Sequence, residues 1–185
     1  MSTINEEGKW TVLESKYLIR RPWLTARVDK VQLPDGRIND EYYVLEYPDW
    51  VNVIAITDDG RFVMERQYRH AMGITEYELP CGVIESGEEP LDAAKRELEE
   101  ETGYTGGEWQ KWMTIGSNPG SNNNTTHCYI ARGVKKTSTP HLDATEDLSA
   151  YLLTKDEVFD ILRTDDIRQA LMAAPLWKYF FSEEM

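Results

Sequence analysis

The segment from Pro90 to Gly103, PLDAAKRELEEETG, constrains this chain more than any other, because it reads as one helix with marked ends and assigned faces. Pro90 suits the first helical position, where no N–H donor is required, and Gly103 suits the left-handed residue that ends a helix. Glu88 and Glu89 precede it, where negative charge complements the helix dipole. Leu91, Ala94 and Leu98 recur at i, i+3, i+7 and give one apolar stripe. Glu97, Glu100 and Glu101 recur at i, i+3, i+4, so three carboxylates crowd a face beside that stripe. Such a run is ordinarily a solvated face, here partly offset by Lys95 and Arg96. Carboxylate oxygens with room for water are also what Mg²⁺ or Mn²⁺ takes.

Around this helix the pattern is mostly that of strands. Residues 10–45 alternate apolar and polar side chains in WTVLESKYLIRR and ARVDKVQL, and Asp35-Gly36 marks a turn. VNVIAI (51–56) reads as a buried strand that turns at Asp59-Gly60 into RFVMERQYR, a hairpin over 51–69. A Gly-rich acidic loop follows Leu79-Pro80. WQKWMTIG, THCYIARGV and SAYLLT read as further strands, and KDEVFDILR and DDIRQALMAAPLWKYFF as a helical end that Pro175 is expected to break. Strands followed and interrupted by helices imply an α/β (α+β) chain, a mixed sheet sandwiched by helices.

The 20 Lys+Arg and 33 Asp+Glu leave a net charge of −13. Such a body repels nucleic-acid phosphates and anionic lipid, so neither is expected as a partner, and an anionic substrate would need a recruited cation. No apolar run approaches the roughly 18 residues of a membrane span. The polar N-terminus lacks the basic and apolar regions of a secretory signal, and Cys81 and Cys128 are the only cysteines, so the expectation is a cytoplasmic protein.

The spacing goes further than the helix. Gly82 is followed after five residues by Glu88, after seven more by Arg96-Glu97-Leu98, then by Glu100-Glu101 and Gly103. This resembles the Nudix box, G-x5-E-x7-R-E-U-x-E-E-x-G-U with U apolar, and departs from it only in carrying Tyr104 at the last position. Pro119, 15 residues beyond Tyr104, together with ERQYRHAMG, YELPCGVIESGE and the N-terminal EGKW leading into LPDG, resembles the ADP-ribose pyrophosphatase subfamily over roughly residues 7–170.

That resemblance implies a Nudix-type α/β/α sandwich at 46–185, preceded at 1–45 by an antiparallel β-region that contributes to a homodimer. It implies Glu97 and Glu101 as principal metal ligands, Glu100 bridging through metal or water, and carbonyl oxygens near Cys81 and Gly82 pointing at the cation, with Gly82 allowing a tight turn. Arg96 would pair with Glu88. Arg69 and Glu78 would contact substrate, Trp10 would stack on a base with Trp23 as its partner, and Pro119 marks the substrate loop. In HLDATED, Glu146 aligns as a further metal ligand and the first candidate for the catalytic base. Asp143 and Glu100 remain alternatives, since Ala144 stands where relatives can carry an acid. The implied activity is divalent-metal-dependent hydrolysis of a nucleoside diphosphate sugar, ADP-ribose to AMP and ribose 5-phosphate. GDP-mannose or another sugar nucleotide, or a non-catalytic nucleotide-sensing module, are the alternatives.

Overall fold

The computed structural model describes residues 8–183, so residues 1–7 of the expected N-terminal region, and 184–185, lie outside the described residues. The chain forms two compact units. In the first, β1 (Thr11–Arg21), β2 (Leu24–Gln32) and β3 (Ile38–Glu46) make an antiparallel meander in that order. Pro22 and Trp23 turn β1 into β2, and Gly36, at φ +88°, supplies the left-handed residue between β2 and β3. The unit also takes in Asn118–Asn124, which returns from far along the chain. Leu45 N–H donates to Ser121 O (2.8 Å), Asn123 N–H to Leu45 O (3.2 Å), and the Tyr42 hydroxyl to Gly120 O (2.8 Å). A division at 45/46 made along the sequence does not register this return.

The second unit holds a seven-stranded sheet. Its central path runs β10 (Leu148–Leu153), β5 (Phe62–Arg69), β4 (Trp50–Thr57), β9 (Thr126–Lys136), β8 (Tyr104–Ile115). β4 and β9 are parallel and the other pairs antiparallel, which makes the sheet mixed. The β4–β5 hairpin pairs only Ala55 with Val63 and Ile56 with Phe62. Beyond that the two strands part company: β6 (Ile74–Glu78) pairs with β5, and β7 (Cys81–Val83) with β4. Neither short strand was legible in the sequence, because three to five residues are too few for an alternation to declare itself.

Period-two alternation splits the core cleanly. Val51, Val53, Ala55 and Val63 turn one way, with Ala93, Ala94 and Leu98 of α1 (Pro90–Thr102). Ile54, Ile56, Phe62 and Met64 turn the other way, with Val158 and Leu162 of α2 (Lys155–Arg163) and Met172, Leu176 and Phe180 of α3 (Ala170–Glu183). One sheet face therefore carries α1 and the other α2 and α3, an α/β/α sandwich. α1 has the expected bounds, with Gly103 left-handed at φ +75° as its C-cap.

Pro175 does not break the terminal helix; it lies within α3. A proline there withholds the donor that Leu171 O would receive across one turn. Asn52 Nδ2, buried on β4, donates to that carbonyl at 2.7 Å, so the acceptor is satisfied from outside the helix. Asn52→Ala would leave it bare, and we expect a loss of about 1–3 kcal/mol in urea denaturation. An unchanged midpoint and slope would show that the carbonyl finds another donor.

Candidate active site

Because α1 lies along β4 and β7, its inward face is apolar near the middle but acidic at positions 97 and 101. Glu97 is 8% exposed and Glu101 5% exposed, whereas Glu100 faces outward. The carboxylates that share a face on paper are thus divided by burial into an inner pair and an outer one. Glu101 accepts the Cys81 N–H at 2.8 Å, which ties the helix to β7. The Glu97 carboxyl lies against Gly82, where a Cβ would meet its Cδ at 2.1 Å. Gly82 sits in β7 without positive φ, so the expected tight turn is not its reason. It is glycine because the carboxylate occupies the place of a side chain.

Arg96 holds the rim. Its Nε and Nη2 donate to the two oxygens of Glu88 (2.9 Å each), Nη1 to Glu97 (2.8 Å) and Glu100 (3.1 Å), and Nη2 also to Val83 O (3.0 Å). All five guanidinium donors are thereby engaged, something lysine could not reproduce. The hydrogen bonds from Arg96 hold the Glu88 carboxyl below the usual range. The expected Arg96–Glu88 pair is therefore present, and Glu100 is held in the same network.

Deeper in, burial dominates. Burial, reinforced by the neighbouring Glu65, pushes the Glu101 carboxyl well above its ordinary value, and burial also raises Glu97. Glu65, on β5, is 2% exposed and pushed up to about 8 by burial, and its carboxyl lies against that of Glu101. Its Oε1 has no hydrogen-bond partner. Glu146 is near enough for its charge to raise both Glu65 and Glu97, and its own carboxylate accepts the Asp143 N–H (2.8 Å) within its loop. Among the described residues no three acidic, histidine or cysteine side chains stand together as a finished cation cage. The carboxylates are held instead by Arg96, by the Cys81 amide and by one another.

Glu78 lies opposite Glu65 across β5 and β6 and is 1% exposed. Arg69 grips it bidentately, Nε to Oε1 at 2.6 Å and Nη2 to Oε2 at 2.5 Å, which raises the arginine still further. Glu78, expected to contact substrate, here has both oxygens on Arg69, whose side chain is the partly exposed member of the pair. The Cys81 thiol is pushed up by complete burial and stays protonated. Trp10, Trp23 and Pro119 belong to the first unit. Trp10 is half-exposed with its ring edge-on to Tyr42 (5.7 Å), Trp23 is 77% exposed, and Pro119 is exposed in the 118–124 segment.

Glu65 is the residue that sequence reasoning missed. The signal was present: in FVMERQYR, Val63 is an inward position on the α1 side, and Glu65 shares its parity.

Residues 46–174 match the NUDIX domain family. The chain belongs to the Nudix family. Residues 10–45 of this Nudix protein match the nucleoside diphosphate sugar hydrolase N-terminal domain. It is 36% identical over 138 residues to the methanol dehydrogenase activator of Bacillus methanolicus, covering 74% of each chain. It is 31% identical over 147 residues to the ADP-ribose pyrophosphatase of Bacillus subtilis (strain 168), covering 79% of each. In fold it is similar to a crystal structure of an ADP compounds hydrolase, with TM-score 0.81, 21% identity, and coverage of 95% of this chain and 96% of that one. Among the described residues no helix is long and apolar enough to cross a membrane.

The raised Glu65 value fixes the sign of a pH effect. A carboxyl raised from 4.5 to about 8 on folding contributes stability that is fully present below pH 4.5 and lost as pH climbs through about 8. In EDTA, the melting temperature should fall by several degrees from about pH 6 to 9, and Glu65→Gln should flatten that slope. Identical slopes in the two proteins would contradict the assignment.

Proposed function

We propose that this Nudix hydrolase uses Mg²⁺, with Mn²⁺ as a substitute, to cleave the pyrophosphate of ADP-ribose into AMP and ribose 5-phosphate. The observation that carries the reading is the Glu97–Glu101 pair, buried against Gly82 and Cys81 in a protein whose relatives include ADP-ribose pyrophosphatases of Bacillus subtilis and Mycobacterium tuberculosis. Sensing modules without turnover would not need to keep every box carboxylate, and this chain keeps them all.

The donor set suits a divalent cation: it is all oxygen, anionic, and buried with too little positive charge around it. Glu97 and Glu101 would hold the ion, with the backbone carbonyls at Cys81 and Gly82, Glu100 and Glu146 as further oxygens. When bound, such an ion offsets the charge of the diphosphate and lowers the pKa of a bound water. Arg96 fixes Glu97 and Glu88 so that the loop and helix keep one geometry. Glu146, half-buried in its loop and felt electrostatically by Glu97, is assigned the proton taken from the attacking water. Arg69, oriented by Glu78, keeps N–H groups free of that pair to meet phosphate or ribose oxygens. Trp10 is assigned the adenine, with Trp23 as a second aromatic surface and Pro119 shaping the substrate loop.

We place the protein in the cytoplasm as a homodimer. Both cysteines are buried free thiols, which suits a reducing compartment. Strand β1 is exposed along its whole length, with Val12, Leu13, Tyr17, Leu18 and Ile19 uncovered. Apolar surface so continuous calls for a cover, and a second copy is the occupant we assign. Sedimentation should give a dimer at micromolar concentration, and a monomer there would remove this part.

Incubation with ADP-ribose and Mg²⁺ should release AMP. Glu97→Gln and Glu101→Gln should each lower kcat at least about 100-fold while the far-UV circular dichroism is kept. Near-native turnover in either variant would contradict the metal assignment.

A further inference from the structure

We propose that Glu65 is a further carboxylate of the divalent-cation site, closing it from strand β5. The inference rests on the metal reading above and extends it to a residue outside the helix and its loop. Position 65 shares the face of Val63, which packs with α1, so its side chain points to the helix that carries Glu97 and Glu101. It is 2% exposed, and its Oε1 has no hydrogen-bond partner. The carboxyl it lies against, Glu101, also accepts the Cys81 N–H.

Two ionised carboxylates offer each other no donor, so this contact is satisfied only by a proton shared between them or by a cation drawing on both. No guanidinium among the described residues donates to Glu65 Oε1, although the Arg69 charge reaches this carboxyl. Arg69 is hydrogen-bonded to Glu78, and Arg96 to Glu88, Glu97, Glu100 and Val83 O. The unsatisfied oxygen of Glu65 is therefore a buried acceptor without a donor, in a group where carboxylates outnumber guanidiniums. Hard oxygen donors so arranged are what a divalent cation gathers.

Mn²⁺ binding to the full chain, followed by the electron paramagnetic resonance of free Mn²⁺, tests this without turnover. Glu65→Gln should weaken Mn²⁺ binding at least 10-fold and shrink the Mn²⁺-induced rise in melting temperature, while raising the melting temperature in EDTA above pH 8. Glu97→Gln should also weaken binding. If Glu97→Gln loses Mn²⁺ and Glu65→Gln binds as the parent does, a shared proton explains the contact and the inference is overturned, with the metal reading intact. If neither variant changes binding, the metal reading itself fails. Should Glu65→Gln not fold, Glu65→Asp keeps the charge on a shorter arm; parent-like Mn²⁺ affinity combined with a lowered melting temperature there would equally overturn the inference.

Discussion

Carboxylates taken out of water resist ionising unless positive charge comes with them, and the second unit of this protein is built around that resistance. Glu97 and Glu101 are turned inward by the same helical repeat that turns Ala94 and Leu98 inward, so the apolar packing of α1 and the burial of its acids are one event. Glu65 and Glu78 are driven in by the period-two alternation of β5 and β6. Against these four buried acids stand two arginines. Arg69 is taken up by Glu78, and Arg96 is shared among Glu97, Glu88 and Glu100. Glu101 and Glu65 are left with the Cys81 amide and with each other.

The supporting structure serves that arrangement. Gly82 gives up its side chain so that Glu97 can lie against the strand, and the Cys81 amide points at Glu101 because β7 runs beside β4 at that place. The parting of β4 from β5 after two paired residues makes room for β6 and β7, and with them for the loop that Arg96 fastens to the helix. A single helix, one short strand and one arginine thus convert a local spacing into a rigid group of oxygens. Under the metal reading proposed above, a cation at these oxygens would reconcile the negative net charge of the chain with an anionic substrate.

Much of this was legible in the sequence, for identifiable reasons. The bounds of α1 were marked by Pro90 and Gly103, whose backbone preferences are intrinsic, and the strands with long alternations declared themselves. The partnership of Arg96 with Glu88 came from resemblance, since residues eight apart on a loop and a helix have no fixed geometry of their own. Other features depended on tertiary neighbours. The burial of Glu100 differs from that of Glu97 because of what packs on α1, and Gly82 is explained by a carboxylate fifteen positions away. Pro175 reads as a break until Asn52 is seen to satisfy the carbonyl it leaves, and Glu65 is visible only when its parity is followed past the apolar part of β5. The return of Asn118–Asn124 to the first unit had no local signal at all.

The divalent cation proposed above belongs within this group of buried carboxylates. Anomalous scattering from crystals grown with Mn²⁺ tests it most directly. Manganese is expected beside Glu97 and Glu101, within bonding distance of their oxygens. Well-ordered carboxylates with no anomalous peak near them at millimolar Mn²⁺ would contradict it.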